Sequence, residues 1–266
     1  LPLYEQQSPR MSESSKGQRV AFPKERIFVL DIAQAARSVP AFPVERDFRL
    51  GDVAAARQLT TCRISWTALF VKAWGIVSAG NPTLRQAYMT WPWRSLYQHP
   101  HSVASISVNR VNDQGQNFLI FARIHAPESM SLIEVQAKLD EAKSADPSRF
   151  FKDGYDLARW PTPIRRCIWA VMMHGWGRKK AKKLGTFSLS ALAGQSAMNR
   201  NHPLIVTTSL AYAPLDERGN SMVTLLCDHR TIDGYEAALA LGRLQEVLAD
   251  EILTELRGNA RNRMVA

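Results

Sequence analysis

A chain of 266 residues, 45% hydrophobic and 22% charged, has enough apolar matter for a sizeable core, which excludes a disordered or fibrous protein. Its net charge of +10 suits nucleic acid, anionic lipid or a polyanionic small molecule, but with no zinc-type Cys/His spacing, RNA-binding aromatic signature or helix-turn-helix pattern nucleic acid is set aside. Three scattered cysteines, Cys62, Cys167 and Cys227, argue against a disulfide framework and for a reduced, cytoplasmic protein, and no signal peptide or membrane-spanning apolar run is evident.

Residues 1–19 are polar and aperiodic and predict a flexible tail, with Met11 a candidate natural start. One folded domain is expected over residues 20–256, undivided by any linker, with 257–266 as a second tail. Ile27–Leu30 reads as a strand or as the start of a helix running into Ala36. After a break at Pro40–Pro43, Val44–Leu50 alternates as a strand, and Asp52 can cap a short helix through Arg57. From Ser65 to Ser78, Trp66, Leu69, Phe70, Ala73, Trp74 and Val77 recur at helical spacing. Trp91-Pro92-Trp93 and His99-Pro100-His101 form an aromatic, proline-rich connection. The two histidines lack a third ligand nearby, which favours a structural role over a metal site. Ser102–Val108 and Phe118–Ile124 read as strands. Met130–Ala142 reads as an amphipathic helix with Leu132, Val135 and Leu139 on one face.

Pro163 to Leu184 is less ordinary. Arg165-Arg166 precedes the apolar run Cys167–Met173, and the basic run Arg178–Lys183 follows. The stretch admits three readings: a core helix with a solvated basic end, a helix or lid at an anionic lipid surface, or a basic cluster that attracts the phosphates of coenzyme A.

The chemistry concentrates near the C-terminus. A buried-strand run, Met222–Leu226, leads into Cys227-Asp228-His229-Arg230-Thr231-Ile232-Asp233-Gly234, and a helical pattern follows from about Tyr235 to Leu253. A histidine thus stands where a strand hands over to a helix. Asp233 is placed to brace its turn, and Gly234 gives the backbone room to bend. Cys227 more simply fills core volume.

Asp228–Gly234 resembles the Asp-His-Arg-x-x-Asp-Gly signature of dihydrolipoamide acyltransferases, the core subunits of 2-oxoacid dehydrogenase complexes, which share a fold with chloramphenicol acetyltransferase. Gly185-Thr186-Phe187-Ser188-Leu189-Ser190 resembles their Gly-Thr-Phe-Thr-Ile-Ser segment, and Val71-Lys72-Ala73 and Asn81-Pro82-Thr83-Leu84 resemble two further markers. The resemblance spans about Val20 to Leu256. It implies a single α/β domain of the chloramphenicol acetyltransferase-like class, a mixed sheet with flanking helices. It also implies His229 as general base, Ser190 as oxyanion donor and Asp233 as organiser of the loop. Arg26 is the candidate to pair with the motif aspartate. An acyl-CoA thioester is the implied donor, with no metal, and the acceptor a small or lipidic molecule. A homotrimer, or a multiple of trimers, is expected, with the histidine of one subunit meeting the serine of the next.

The chain departs from the family in reading Ser190-Ala191-Leu192-Ala193 where Ser-Asn-Leu-Gly is usual, which puts the acceptor pocket in doubt. Nor does it carry a lipoyl domain, so a stand-alone transferase is expected, in the cytoplasm and, on the lipid reading of Pro163–Lys183, peripheral to the inner face of the membrane. The alternative is a non-catalytic trimeric scaffold or binding module of the same fold.

Overall fold

The computed structural model describes residues 17, 19, 21–111, 115, 117–144, 146 and 156–265. Apart from 17 and 19, the expected N-terminal tail lies outside them. The organising element is a mixed sheet. Its strands are β1 (Ala41–Arg49), β4 (Val103–Val111), β5 (Asn117–His125), β6 (Phe187–Ser190), β7 (Thr208–Tyr212) and β8 (Asn220–Asp228), in the spatial order β1-β8-β7-β6-β4-β5. β6 runs parallel to both its neighbours, and every other pairing is antiparallel. β2 (Gln86–Met89) and β3 (Ser95–Gln98) form a separate hairpin.

β1 begins at Ala41 and so takes in Pro43, which the sequence reads as part of a break. Edge position explains the tolerance: β1 pairs only with β8, and a residue without an N–H leaves no ladder bond unmade on the open side. β7 carries no alternating pattern because all five residues are buried, so periodicity alone does not reveal it.

One face of the sheet is packed by α3 (Trp66–Gly80), whose first turn is capped by Ser65 Oγ, accepting from the Ala68 N–H at 3.3 Å. Its Trp74 is fully buried and donates Nε1–H to Thr208 Oγ1 at 3.2 Å. α4 (Leu132–Ser144), α7 (Gly234–Val247) and α8 (Leu253–Val265) complete that side, and Lys72 of α3 pairs with Glu255 of α8. Residues 257–265, expected as a tail, continue α8 as helix. α2 (Gly51–Gln58) packs against the same C-terminal helix.

Toward the other face lies α1 (Ile27–Ala36), which settles the ambiguity of Ile27–Leu30 as helix. It pairs with α5 (Thr162–His174) through Asp31 and Arg165, a buried ion pair at 2.9 Å. A short basic helix, α6 (Gly177–Leu184), turns the chain back into β6. The turn depends on Gly185, at φ 102°, where an added Cβ would come within 2.9 Å of the Val103 carbonyl oxygen. Among the described residues, no helix is long and apolar enough to cross a membrane.

Candidate active site

β8 ends at Asp228, and the chain turns through His229–Ile232 before α7 begins. Asp228 closes that turn. Its carbonyl accepts from the Thr231 and Ile232 N–H groups at 3.0 and 3.1 Å. Its carboxylate, only 2% exposed, accepts from the Arg230 N–H at 3.0 Å and from the guanidinium at 2.8 Å (Nε) and 2.6 Å (Nη2). Arg230 also donates to the Ser38 carbonyl at 3.2 Å and lies 5.0 Å from the Tyr88 ring centroid. A carboxylate can be buried here because a charged fork and a backbone N–H replace its water.

His229 is anchored by its backbone N–H, which donates to the Pro40 carbonyl at 2.9 Å, and by its ring, 4.5 Å from that of Phe42. Nδ1 lies 3.2 Å from the Ile232 carbonyl oxygen and 3.4 Å from Asp233 Oδ1. A carbonyl oxygen can only accept, so this arrangement favours the proton on Nδ1 and leaves Nε2 with its lone pair free. Asp233 stands at the N-cap of α7 with its side chain 81% exposed, where water screens its charge. Asp228 supplies side-chain hydrogen bonds within the turn, while Asp233, which the sequence expects to brace it, lies 3.4 Å from Nδ1.

Two other expectations are corrected. Arg26 is exposed at the end of a single 3-10 turn, and neither Asp228 nor Asp233 forms an ion pair with it among the described residues; Asp228 is taken by Arg230. Gly234 opens α7 without a positive φ, and a Cβ there would meet nothing within 4 Å, so this chain alone does not require glycine at that point. Cys227 is fully buried and its thiol is pushed up to about 12 by burial and by the Asp228 charge, as a core-filling residue would be.

Ser190 ends β6. It is in register with Ala211 of β7, which pairs with Thr224 of β8. His229 lies five residues beyond Thr224, about 16 Å along the strand, and two strand spacings, about 10 Å, across from β6. The two residues are therefore about 19 Å apart, and one chain does not bring them together. Ser190 instead borders a cavity of about 210 Å³ beneath α1, shared with Ser188, Ser209 and His202. There Ser188 Oγ donates to Ser209 Oγ at 2.7 Å, and His202 Nε2 lies 2.7 Å from the same oxygen. Burial lowers the pKa of His202 and keeps it neutral at neutral pH. This polar cluster carried no sequence signal, since its members come from separate segments.

The sequence also missed Lys180. It points inward from α6, 2% exposed, beside Asp228 and Arg230. Burial lowers its pKa to about 8, against the attraction of Asp228. Helical spacing within Arg178–Lys183 was the available clue, because a run of six residues exceeds one turn and must turn one member inward.

No family model matches the chain, and no curated protein matches it. Solved structures do. A probable dihydrolipoamide acetyltransferase from Listeria monocytogenes superposes with a TM-score of 0.65 at 12% identity, covering 89% of this chain and 96% of that one. A truncated catalytic core of the 2-oxoacid dehydrogenase multienzyme complex from Thermoplasma acidophilum gives 0.63 at 16% identity, covering 88% and 99%. The dihydrolipoamide acetyltransferase of Azotobacter vinelandii gives 0.59 at 17%, covering 94% and 99%. These superpositions agree: the chain has the fold of the dihydrolipoamide acetyltransferase catalytic cores.

Proposed function

We propose that the protein is an acyltransferase that moves an acyl group from an acyl-CoA or related thioester to the hydroxyl, thiol or amine of a small or lipidic acceptor, within one ternary complex. The observation that carries this reading is His229, whose Nδ1 faces a backbone carbonyl while Nε2 is left free on a half-exposed ring. Nε2 takes the acceptor's proton as the acceptor attacks the thioester carbonyl. The C–S bond then breaks, and the departing thiolate recovers the proton from Nε2. A positioned base contributes about 10²–10⁴ in rate. Ser190 donates its hydroxyl hydrogen bond to the developing oxyanion, a contribution of about 3–4 kcal/mol. Asp233, with Oδ1 3.4 Å from Nδ1, attracts the transient imidazolium, an attraction weakened by the surrounding solvent.

The separation of Ser190 from His229 within one chain supports a site shared between subunits. A cyclic homotrimer, alone or as the unit of a larger assembly, sets the histidine of each subunit against the serine of the next. Likeness in fold to the Azotobacter vinelandii enzyme supports the choice of residues. That structure comes from work on the role of a serine, a histidine and an asparagine in its catalytic mechanism, the asparagine four positions after the histidine. The protein is expected to act in the cytoplasm and, on the lipid reading of Pro163–Lys183, in peripheral contact with the inner face of the membrane.

A thiol-release screen of acyl-CoA donors of several lengths against candidate acceptors, with intact-mass detection of products, tests the reading. His229→Ala should fold as the parent does and lose about two orders of magnitude or more in turnover. Turnover retained in that variant removes His229 from the mechanism. No transfer with any pair of substrates leaves the scaffold alternative standing.

A further inference from the structure

α5 turns Arg165, Trp169 and Met173 inward and an apolar stripe outward. Ile164, Ile168 and Val171, each about 40% exposed, follow at the spacing i, i+4, i+7. Tryptophans stand at both ends: Trp160, 52% exposed, before the helix, and Trp176, 53% exposed, after it. The β2–β3 turn adds Trp91 and Trp93, 49% and 75% exposed. That turn is fixed to the corner between α5 and α6, because the Thr90 and Trp91 N–H groups both donate to the His174 carbonyl, at 3.0 and 2.9 Å. Arg166 of α5 and Arg178, Lys179 and Lys182 of α6 are exposed, with Lys179 Nζ 4.1 Å from the Trp176 ring centroid. The chain contains no Asp or Glu between Asp156 and Asp216, and none between Asp52 and Asp113. Neither segment that builds this face supplies a carboxylate of its own.

Each component of the face suits one layer of a bilayer surface. Aliphatic side chains favour the acyl boundary, tryptophans the headgroup level, and cations the anionic phosphates. A second copy presenting the same face would set cation against cation. Behind the stripe, a cleft of about 380 Å³ lies between α1 and α5, lined by Leu30, Trp169 and Met173 and reaching Ser38 and His174. Trp169 Nε1 and His174 Nδ1 are buried without hydrogen-bond partners, and the Ser38 carbonyl is the one that accepts from Arg230 beside His229. The cleft thus runs along the inner side of α5 and ends one hydrogen bond from Arg230.

We propose that this face seats the protein on an anionic bilayer surface and that the acceptor is an amphipathic lipid drawn from it; the second half rests on the acyl-transfer reading. The full chain is tested by flotation with phosphatidylcholine vesicles, with and without phosphatidylglycerol, at low and raised salt. It should bind the anionic vesicles, release as salt rises, and shift its tryptophan emission to the blue on binding. At about fivefold lost per basic residue, Arg178→Gln with Lys179→Gln should bind roughly twenty-fivefold more weakly. Absence of binding to anionic vesicles, or wild-type binding by the double variant, overturns the proposal. So does Trp176→Ala splitting the native assembly while leaving vesicle binding intact, since the face would then join two copies. For the acceptor, the double variant should slow transfer to a vesicle-held lipid alcohol and leave transfer to a soluble acceptor unchanged. Equal slowing of both overturns the lipid acceptor. Vesicle binding that persists in a protein without any acyl transfer overturns the reaction reading and leaves the docking face.

Discussion

Asp228 and Asp233 stand on either side of His229, and their surroundings divide the labour between them. Asp228 is enclosed with Arg230 and holds the turn in shape, while Asp233 faces water and acts on the imidazole only at 3.4 Å. The same enclosure draws in Lys180, whose ammonium has the Asp228 charge nearby but shares it with Arg230. The unfolded chain holds the Lys180 proton up to its ordinary 10.5, the folded chain only to about 8. Between those values the unfolded state binds more protons, so the protein should gain stability as pH rises from about 8 to about 10.5. Below pH 8 the full penalty applies, about 3 kcal/mol at about 1.4 kcal/mol per pKa unit. Lys180→Met should therefore stabilise the protein at pH 7 by up to that amount, and the gain should shrink toward pH 10. Urea unfolding of both proteins across that range measures it; a difference independent of pH would mean that Lys180 keeps its ordinary proton affinity.

At the scale of elements, the stretch from Thr162 to Leu184 is neither a plain core helix nor a plain surface one. α5 is clamped to α1 by Asp31 and Arg165, yet leaves Ile164, Ile168 and Val171 outward; α6 buries Lys180 and exposes Arg178, Lys179 and Lys182. The corner between the two helices relies on Gly177. A Cβ there would enter the van der Waals envelope of the Tyr97 ring, and that ring is restrained by the contact of its hydroxyl with His99 Nδ1 at 3.2 Å. Gly177→Ala should push α6 off the β2–β3 hairpin and cost about 1–3 kcal/mol, as overpacking does. Denaturant unfolding reads this directly; an unchanged midpoint would show that the hairpin yields freely.

For the whole molecule, the decisive distance is the one between Ser190 and His229. If the proposed trimer forms, trimers of His229→Ala and of Ser190→Ala should each be nearly inactive. Unfolded together, mixed equally and reassembled at random, they rebuild a site wherever an intact His229 meets an intact Ser190 from the neighbour. Each is present with probability one half, so about a quarter of the wild-type activity refolded in parallel should return. Mixed trimers confirmed by native mass yet devoid of activity would sink the shared site and leave each residue's chemistry open.

The sequence by itself determined the strand–turn–helix around His229, the helical faces of α3 and α4, and the segment that carries Ser190. These depend on local periodicity and on motifs whose residues are neighbours in the chain. Only the tertiary structure decided that Asp228 is the buried organiser, that Arg26 stands apart, that Lys180 turns inward, and that Ser188, Ser209 and His202 meet beneath α1. It also decided that Thr208–Tyr212 is a central strand and that the C-terminal segment stays helical. Each of these depends on which distant segment packs alongside, and a side chain's charge state, burial and partners are properties of that packing and not of the residue's own neighbours.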